Sequence, residues 1–316
     1  MTEKEQISEF LKPEYFWDII GIKSQEDFTN KVISKGKFHK NVPEKIQDDY
    51  KIVERLLFYS YYSYPIIDEA FGKSTRIFEA SINLKIEDLK IEKKGPESLT
   101  SKIKRLEVYS SKELYEAWVK SKNLRNTFAH RKAGELSGLI LVVNAFKHNI
   151  NMINSVFLTK EEVLEKEKFV ESIKDKSNHL IEGLFIMEYK GKSFLTWSMI
   201  PYNCIVIDGI EKSFWVFHPV YKKSIIKEIS DFPEPFLLNL KDLKLDINGL
   251  TAKIIETNEI IKVSKTENSQ NKESYIEHRD QMENLNLDLK QRYWSYLDVE
   301  LTKGNSDFIY NYTWKS

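Results

Sequence analysis

The spacing of apolar residues changes once along the chain, and that change constrains the fold more than any other sequence feature. From residue 44 onward, apolar side chains recur every three or four positions, the period of an amphipathic helix. Beyond about residue 180 they stand in short runs between turn residues, which is typical of strands. The sequence therefore predicts an α+β chain in which a helical part precedes a β-rich part.

The helical part is predicted to cover residues 44–158 as an all-helical bundle. Pro43 stands where it can open the first helix, and Pro65 should interrupt it. Ser98 is a predicted helix N-cap, and a long final helix is expected over residues 135–157. The first helix shows the pattern most clearly, with apolar positions Ile46, Tyr50, Val53, Leu57, Tyr61 and Tyr64.

The β-rich part carries turn signals between its apolar runs. Asp208-Gly209 predicts a tight hairpin. Further strands are expected over residues 236–247 and 252–263, and a polar loop over 266–273. The remaining C-terminal residues are ambiguous between helix and strand.

These patterns predict four segments. Residues 1–43 form an N-terminal helical extension and 44–158 the bundle. Residues 159–178 form a highly charged helical connector, and 179–316 a β-rich accessory or sensor domain.

Composition narrows the classes of function. The chain has 316 residues with 48 basic and 48 acidic side chains, and this neutrality argues against coating nucleic acid by charge alone. One cysteine, Cys204, excludes an internal disulfide and a Cys-rich zinc site. The sequence has no apolar run long enough to cross a bilayer and no signal-peptide pattern at its start. We expect a cytoplasmic protein with no membrane partner, no metal and no cofactor.

Residues 120–132 contain five basic side chains and no acidic one. They include two of only seven arginines, whose planar, permanently charged guanidinium suits phosphate. A solvated helix end is the alternative interpretation of such a cluster. The five residues are Lys120, Lys122, Arg125, Arg131 and Lys132.

Arg125, Asn126 and His130 form an R-N-x-x-x-H pattern within this stretch. The pattern resembles the signature of HEPN domains, small helical bundles that include many metal-independent ribonucleases. As in that family, the motif stands late in the predicted bundle and before its long final helix. The resemblance covers about residues 44–158 and implies a composite site at a homodimer interface formed by the helical domain. The C-terminal half resembles no family.

The residue types of the motif suit RNA cleavage. Attack of a 2′-hydroxyl on the neighbouring phosphate requires a base, an acid and positive charge at the phosphate. We predict His130 as base or acid, Arg125 as the phosphate clamp and Asn126 as an orienting hydrogen-bond partner. A two-fold dimer would supply the second histidine. Lys120, Lys122, Arg131 and Lys132 are predicted to contact RNA.

Glu79 and Asn83 are predicted to support this site from an earlier helix. Glu79 is an acidic residue within an apolar segment, and related HEPN sequences often carry one there. It either pairs with Arg125 and orients the site, or it forms a local ion pair with Arg76 or is exposed. Asn83 lies one helical turn later on the same face.

Two functions follow from these observations. The first is a HEPN-type endoribonuclease, and family analogy suggests a toxin or antiviral-defence effector whose C-terminal domain responds to a regulatory protein or ligand. The alternative is a non-catalytic HEPN-like module that binds RNA, a nucleotide or a protein. His148 is expected on the surface or in the core, and the tyrosines at 59, 61, 62 and 64 are expected to pack in the core or at the dimer interface.

Overall fold

A computed structural model describes residues 9–92, 95–129, 139–221 and 226–314. Within these residues the chain forms ten α-helices and a closed barrel of six antiparallel strands. The predicted mixture of helix and strand is confirmed, with the strands in the C-terminal half. The HEPN-like bundle stays a prediction.

The helices before the barrel follow the predicted order. Seven of them lie in the first half of the chain and an eighth leads toward the barrel. Their bounds are α1 Tyr15–Ile19, α2 Gln25–Lys31, α3 Glu44–Tyr59, α4 Ile66–Asp88, α5 Leu99–Leu106, α6 Lys112–Ala129, α7 Leu139–Val156 and α8 Lys160–Ser177.

Local signals set several of these helix ends. Helix α3 begins directly after Pro43, and α4 begins directly after Pro65. The Ser98 hydroxyl accepts a hydrogen bond from the backbone N–H of Ser101, so Ser98 caps α5 as predicted. Helix α8 covers most of the predicted charged connector.

Helix α4 is the element that the neighbouring helices share. It contacts α3, α5, α6 and α7. Its buried residues occur on more than one side of the helix, as expected for a helix with neighbours around it. Phe71 packs edge-on against Phe146 of α7, with ring centroids 5.5 Å apart. The side chains on the remaining faces of α4 are therefore placed where they meet residues of α5 and α6.

The barrel closes because β6 pairs with β1 as well as β5. Apolar side chains, including Cys204, fill its interior, and burial raises the pKa of the Cys204 thiol to about 12. The six strands are β1 Phe185–Tyr189, β2 Lys192–Ile207, β3 Ile210–Pro219, β4 Phe236–Asp246, β5 Gly249–Ile254 and β6 Ile260–Lys265.

The structure confirms one predicted turn and corrects two other expectations. Asp208 and Gly209 both have positive φ and join β2 to β3 in a tight hairpin. The single strand expected over 252–263 is wrong, because Asn258 adopts a positive φ in a turn that separates β5 from β6. The loop expected over 266–273 is also wrong, because Asn268 caps a helix that starts at Ser269.

Two helices follow the barrel, α9 Ser269–Glu283 and α10 Leu287–Tyr312. Helix α10 packs on the outside of β3, where Phe308 stacks on Phe214 with ring centroids 6.1 Å apart. Residues 213–218 of β3 are therefore buried on both faces of the strand. The ambiguous C-terminal segment is helical over most of its length.

The contacts within the chain divide it into two units. The first unit comprises the residues up to Val163 together with Trp314, and the second is Leu164–Thr313. Trp314 belongs to the first unit because its indole N–H donates to Asn151 Oδ1 at 2.7 Å. Among the described residues, none of the helices is long and apolar enough to span a membrane.

Candidate functional site

Helix α6 carries the described part of the R-N-x-x-x-H motif in its last two turns. Two side chains fix the helix against α7. The indole N–H of the buried Trp118 donates to Ser155 Oγ at 2.9 Å, and Ser121 Oγ lies 2.7 Å from His148 Nε2. Arg125 follows Ser121 by one turn, so the same contacts that hold α6 in register also place Arg125.

Glu79 of α4 stands between two cations from different helices. Its Oε2 lies 3.5 Å from a terminal nitrogen of Arg125, and its Oε1 lies 3.6 Å from Nζ of Lys102 on α5. The other terminal nitrogen of Arg125 donates to Asn126 Oδ1 at 3.2 Å. The structure thus brings together Glu79, Arg125 and Asn126, and it adds Lys102.

This cluster holds Arg125 without enclosing it. The side chains of Arg125, Glu79 and Lys102 are 36%, 28% and 20% exposed. A pair 3.5 Å apart is a loose ion pair, and a guanidinium has five donors of which these contacts occupy few. Two cations beside one carboxylate leave an excess of one positive charge. An oriented, accessible guanidinium in such a cluster can receive a phosphate.

Asn83 lines a cavity next to the cluster. The cavity has a volume of about 450 Å³ and lies between the C-terminal half of α4 and α5. Lys102 reaches both the cavity and Glu79. Arg105 also lines it, and its guanidinium forms an ion pair with Glu97, which is nearly buried. Glu87 lines the cavity as well, so the space next to the Glu79 cluster is bordered by two acidic and two basic side chains.

The remaining predicted residues are distributed as follows. Lys120 is exposed and Lys122 is partly exposed on α6. His130, Arg131 and Lys132 lie outside the described residues. Arg125, Asn126, Glu79 and Asn83 are the predicted site residues whose surroundings the structure gives, together with these two lysines.

His148 is the described histidine that contacts α6. The Ser121 hydroxyl donates to the carbonyl of Ala117, so the imidazole N–H of His148 donates to the Ser121 oxygen. Burial, with a smaller effect of the Lys120 charge, lowers the pKa of His148 to about 4. His148 is therefore neutral at pH 7, and it joins two helices from a partly buried position.

This depressed pKa makes the stability of the first unit depend on pH. The unfolded chain, with an ordinary imidazole pKa near 6.5, binds more protons than the folded chain between pH 6.5 and 4. The contribution of His148 is thus complete above pH 6.5 and is lost as the pH falls toward 4. Over that range, the titration of His148 should lower the unfolding free energy of the unmodified chain by up to about 3 kcal/mol. His148→Gln has no imidazole at this position, so this part of the decrease should be absent from the variant. The measurement is the unfolding free energy of both proteins in urea, followed by amide exchange in α7, from pH 7.5 to 4.5. If this free energy changed equally with pH in both proteins, the expectation would be contradicted.

Sequence reasoning missed Lys102 and Arg105. Their spacing on α5 is visible in the sequence, and Arg105 is one of only seven arginines. Their position next to Glu79 and Asn83 depends on how α5 packs against α4. That is a tertiary contact, and the local sequence does not show it.

The described residues contain no group of three or more His, Cys, Asp or Glu side chains arranged to hold a metal ion. Comparison of the chain with protein-family models, curated proteins and solved structures finds no match. The HEPN resemblance therefore rests on the motif residues and their place in the sequence.

Proposed function

We propose that the chain is a metal-independent endoribonuclease of the HEPN type. The observation that carries the proposal is the contact between Glu79 and Arg125. An acidic side chain from an earlier helix holds the arginine of the motif, and Asn126 accepts a hydrogen bond from the same guanidinium. The supporting roles that the resemblance implies for Glu79 and Asn126 are therefore sterically available.

The proposed reaction uses the motif residues in the roles predicted for them from the sequence. An RNA phosphate binds against the accessible guanidinium of Arg125. His130 removes the proton of the adjacent 2′-hydroxyl as its oxygen bonds to phosphorus, and the bond from phosphorus to the 5′-oxygen breaks. That oxygen takes a proton from a second imidazole. The products are a 2′,3′-cyclic phosphate and a 5′-hydroxyl. The step as proposed uses neither an oxidant nor a metal ion.

A homodimer formed by the helical domain supplies the second imidazole in this proposal. Each chain contributes one R-N-x-x-x-H motif, and a two-fold axis brings two copies of the motif to one cleft. The local positive charge is doubled in the same step, which compensates for the neutrality of the whole chain. Lys120, Lys122, Arg131 and Lys132 extend this charge along the bound strand. A role as a toxin or defence effector remains a suggestion of family analogy.

One observation favours the alternative of a non-catalytic HEPN-like module. Glu79 neutralises part of the charge of Arg125 and Lys102, as it would in a purely structural ion-pair cluster. Such a module would bind RNA, a nucleotide or a protein through the same face, and His130 would be satisfied within the bundle. The two functions differ in whether a phosphodiester bond is cut.

Incubation of the purified chain with single-stranded RNA in EDTA tests the proposal. We expect cleavage in the absence of divalent metal, with cyclic-phosphate ends on the products. Glu79→Gln should slow it about tenfold, because Arg125 loses the partner that orients it toward the phosphate. The same change should lower the unfolding free energy by under about 1 kcal/mol, since the pair is partly exposed and loose.

Glu69→Gln is the matched control for this measurement. Glu69 is an exposed residue on the same helix, so the substitution makes the same chemical change away from the cluster. Its cleavage rate should equal that of the unmodified chain. Cleavage that requires a divalent metal, or the absence of cleavage, would refute the proposed mechanism.

A further inference from the structure

The second unit contains an aromatic cavity on the outside of the barrel. It has a volume of about 190 Å³ and is lined mainly by apolar atoms. Strands β2 and β3 form one wall, and helices α9 and α10 form the others. Four aromatic side chains contribute to the lining, namely Trp197, Tyr275, Tyr293 and Trp294.

Trp197 faces this cavity because β2 is irregular at that point. The register between β2 and β3 shifts between Thr196 and Ser198, which leaves Trp197 outside the regular pairing. A β-bulge of this kind bends the strand and redirects a side chain. The indole ring lies 5.3 Å from the His218 ring, with 35° between their planes.

Helix α9 presents one face to the same cavity. Tyr275, His278, Arg279 and Met282 all line it, and their spacing of three and four residues places them on one side of the helix. Helix α10 adds Tyr293 and Trp294. The Tyr293 ring is fixed from behind by Phe232, which stacks on it with centroids 4.0 Å apart. Trp294 is 51% exposed, so it borders the opening.

The size and polarity of the cavity suit one flat heterocycle. An apolar cavity of about 150 Å³ accepts benzene. The two histidines add hydrogen-bonding groups without charge, because burial lowers the pKa of His218 to about 4 and also lowers that of His278. His278 Nδ1 accepts the backbone N–H of Tyr221 at 3.4 Å, which leaves Nε2 as its second hydrogen-bonding atom. Aromatic rings combined with neutral polar groups match the faces and edges of a nucleobase.

Charge at the opening distinguishes between classes of ligand. Arg279 is 54% exposed, and its partners Asp280 and Glu283 are also exposed and lie 3.7 Å away, so these ion pairs hold it weakly. Among the described residues that line the cavity, none is acidic. An aromatic cage for a quaternary ammonium group would be opposed by the arginine. An anionic substituent on the bound ring would be favoured by it.

We propose that this cavity is a nucleotide-binding site, in which a nucleobase lies among Trp197, Tyr275 and Trp294 while its phosphate contacts Arg279. The ligand is a nucleobase that carries a phosphate. It is either a free mononucleotide or the end of an RNA strand, since both present these two groups. The site is separate from the Glu79 cluster and does not depend on ribonuclease activity. It would provide the C-terminal half with the ligand-binding role expected of a sensor domain.

Isothermal titration of the full chain with AMP, GMP, CMP and UMP tests this site. We expect at least one of them to bind saturably. Trp294→Ala should weaken that binding about tenfold, as is usual for loss of one stacking partner. Arg279→Gln should weaken nucleotide binding while leaving the affinity for the corresponding nucleoside unchanged, because only the phosphate contact is removed. Arg279 is on the surface, so this variant reports on the site even if Trp294→Ala disturbs folding.

Controls separate the proposed ligand from others. Tyr296→Ala removes an aromatic side chain from α10 that does not line the cavity, and it should leave binding unchanged. A short RNA oligonucleotide that binds when free nucleotides do not would identify the strand end as the source. Equal binding of ribose 5-phosphate, preferential binding of tetramethylammonium, or no binding of any nucleotide or oligonucleotide would overturn the proposal. So would nucleotide affinity that is unchanged in both Trp294→Ala and Arg279→Gln.

Discussion

Replacing His130 by alanine should reduce the rate of RNA cleavage by about 10²- to 10⁴-fold. This is the usual contribution of a positioned acid or base, and in the proposed reaction no other side chain of the motif can accept the 2′-hydroxyl proton. A guanidinium cannot be deprotonated in a protein, and a carboxamide does not titrate, so neither can serve as the base. The measurement is the single-turnover rate in EDTA with protein in excess over labelled RNA, so that product release does not limit it.

His148→Gln is the matched histidine control for His130→Ala. His148 joins α6 to α7 through Ser121, and glutamine can keep that hydrogen bond, so we expect cleavage at the unmodified rate. A thermal melt of His130→Ala distinguishes the two proposed functions. A catalytic, exposed histidine should change melting little, whereas a histidine buried in a polar network should cost about 2 kcal/mol. Full cleavage by His130→Ala would exclude His130 from the mechanism.

Local signals in the sequence predict much of this fold because they act over a few residues. Proline before α3, the Ser98 cap on α5 and the Asp208-Gly209 hairpin each restrict the backbone where they stand. The turn around Asn258 is harder to see because no glycine or proline marks it, so the sequence predicts one strand where β5 and β6 form. The first turns of α9 are polar, and for that reason the sequence predicts a loop there instead of a helix.

The candidate site also has features that the local sequence predicts and features that it does not. The motif is a spacing over six consecutive residues, so the sequence contains it, and the packing of α4 against α6 accounts for the nearness of Glu79 to Arg125. The position of Lys102 depends on how α5 lies on α4, and the cavity around Trp197 depends on a bulge and on three elements distant in sequence. Neither is encoded in a local pattern. Contacts of that kind arise only when the chain has folded.

A single methyl group added at Gly249 should strongly destabilise the second unit, because it would interfere with the closure of the barrel. Gly249 begins β5, where it pairs with Asp246 of β4 and Ser264 of β6. Its φ is +158°, and a Cβ at this position would lie 1.9 Å from the carbonyl oxygen of Val263. That oxygen belongs to the backbone of β6, so it cannot move aside without disturbing the ladder that closes the barrel.

Gly249→Ala should therefore lower the unfolding free energy of the Leu164–Thr313 unit by about 3–5 kcal/mol, within the range that marks severe steric conflict. Hydrogen exchange of the β4, β5 and β6 amides measures the loss, with the α4 amides as a reference in the first unit. Gly209→Ala is the control, since Gly209 also has positive φ, +77°, but no atom lies within 4 Å of the position that an added methyl group would take. It should cost about 1–2 kcal/mol from backbone strain alone. Equal losses in the two variants would mean that the β6 backbone can yield and that closure at Gly249 is not tightly packed, because the close contacts with Val263 and Ser264 of β6 are absent at Gly209.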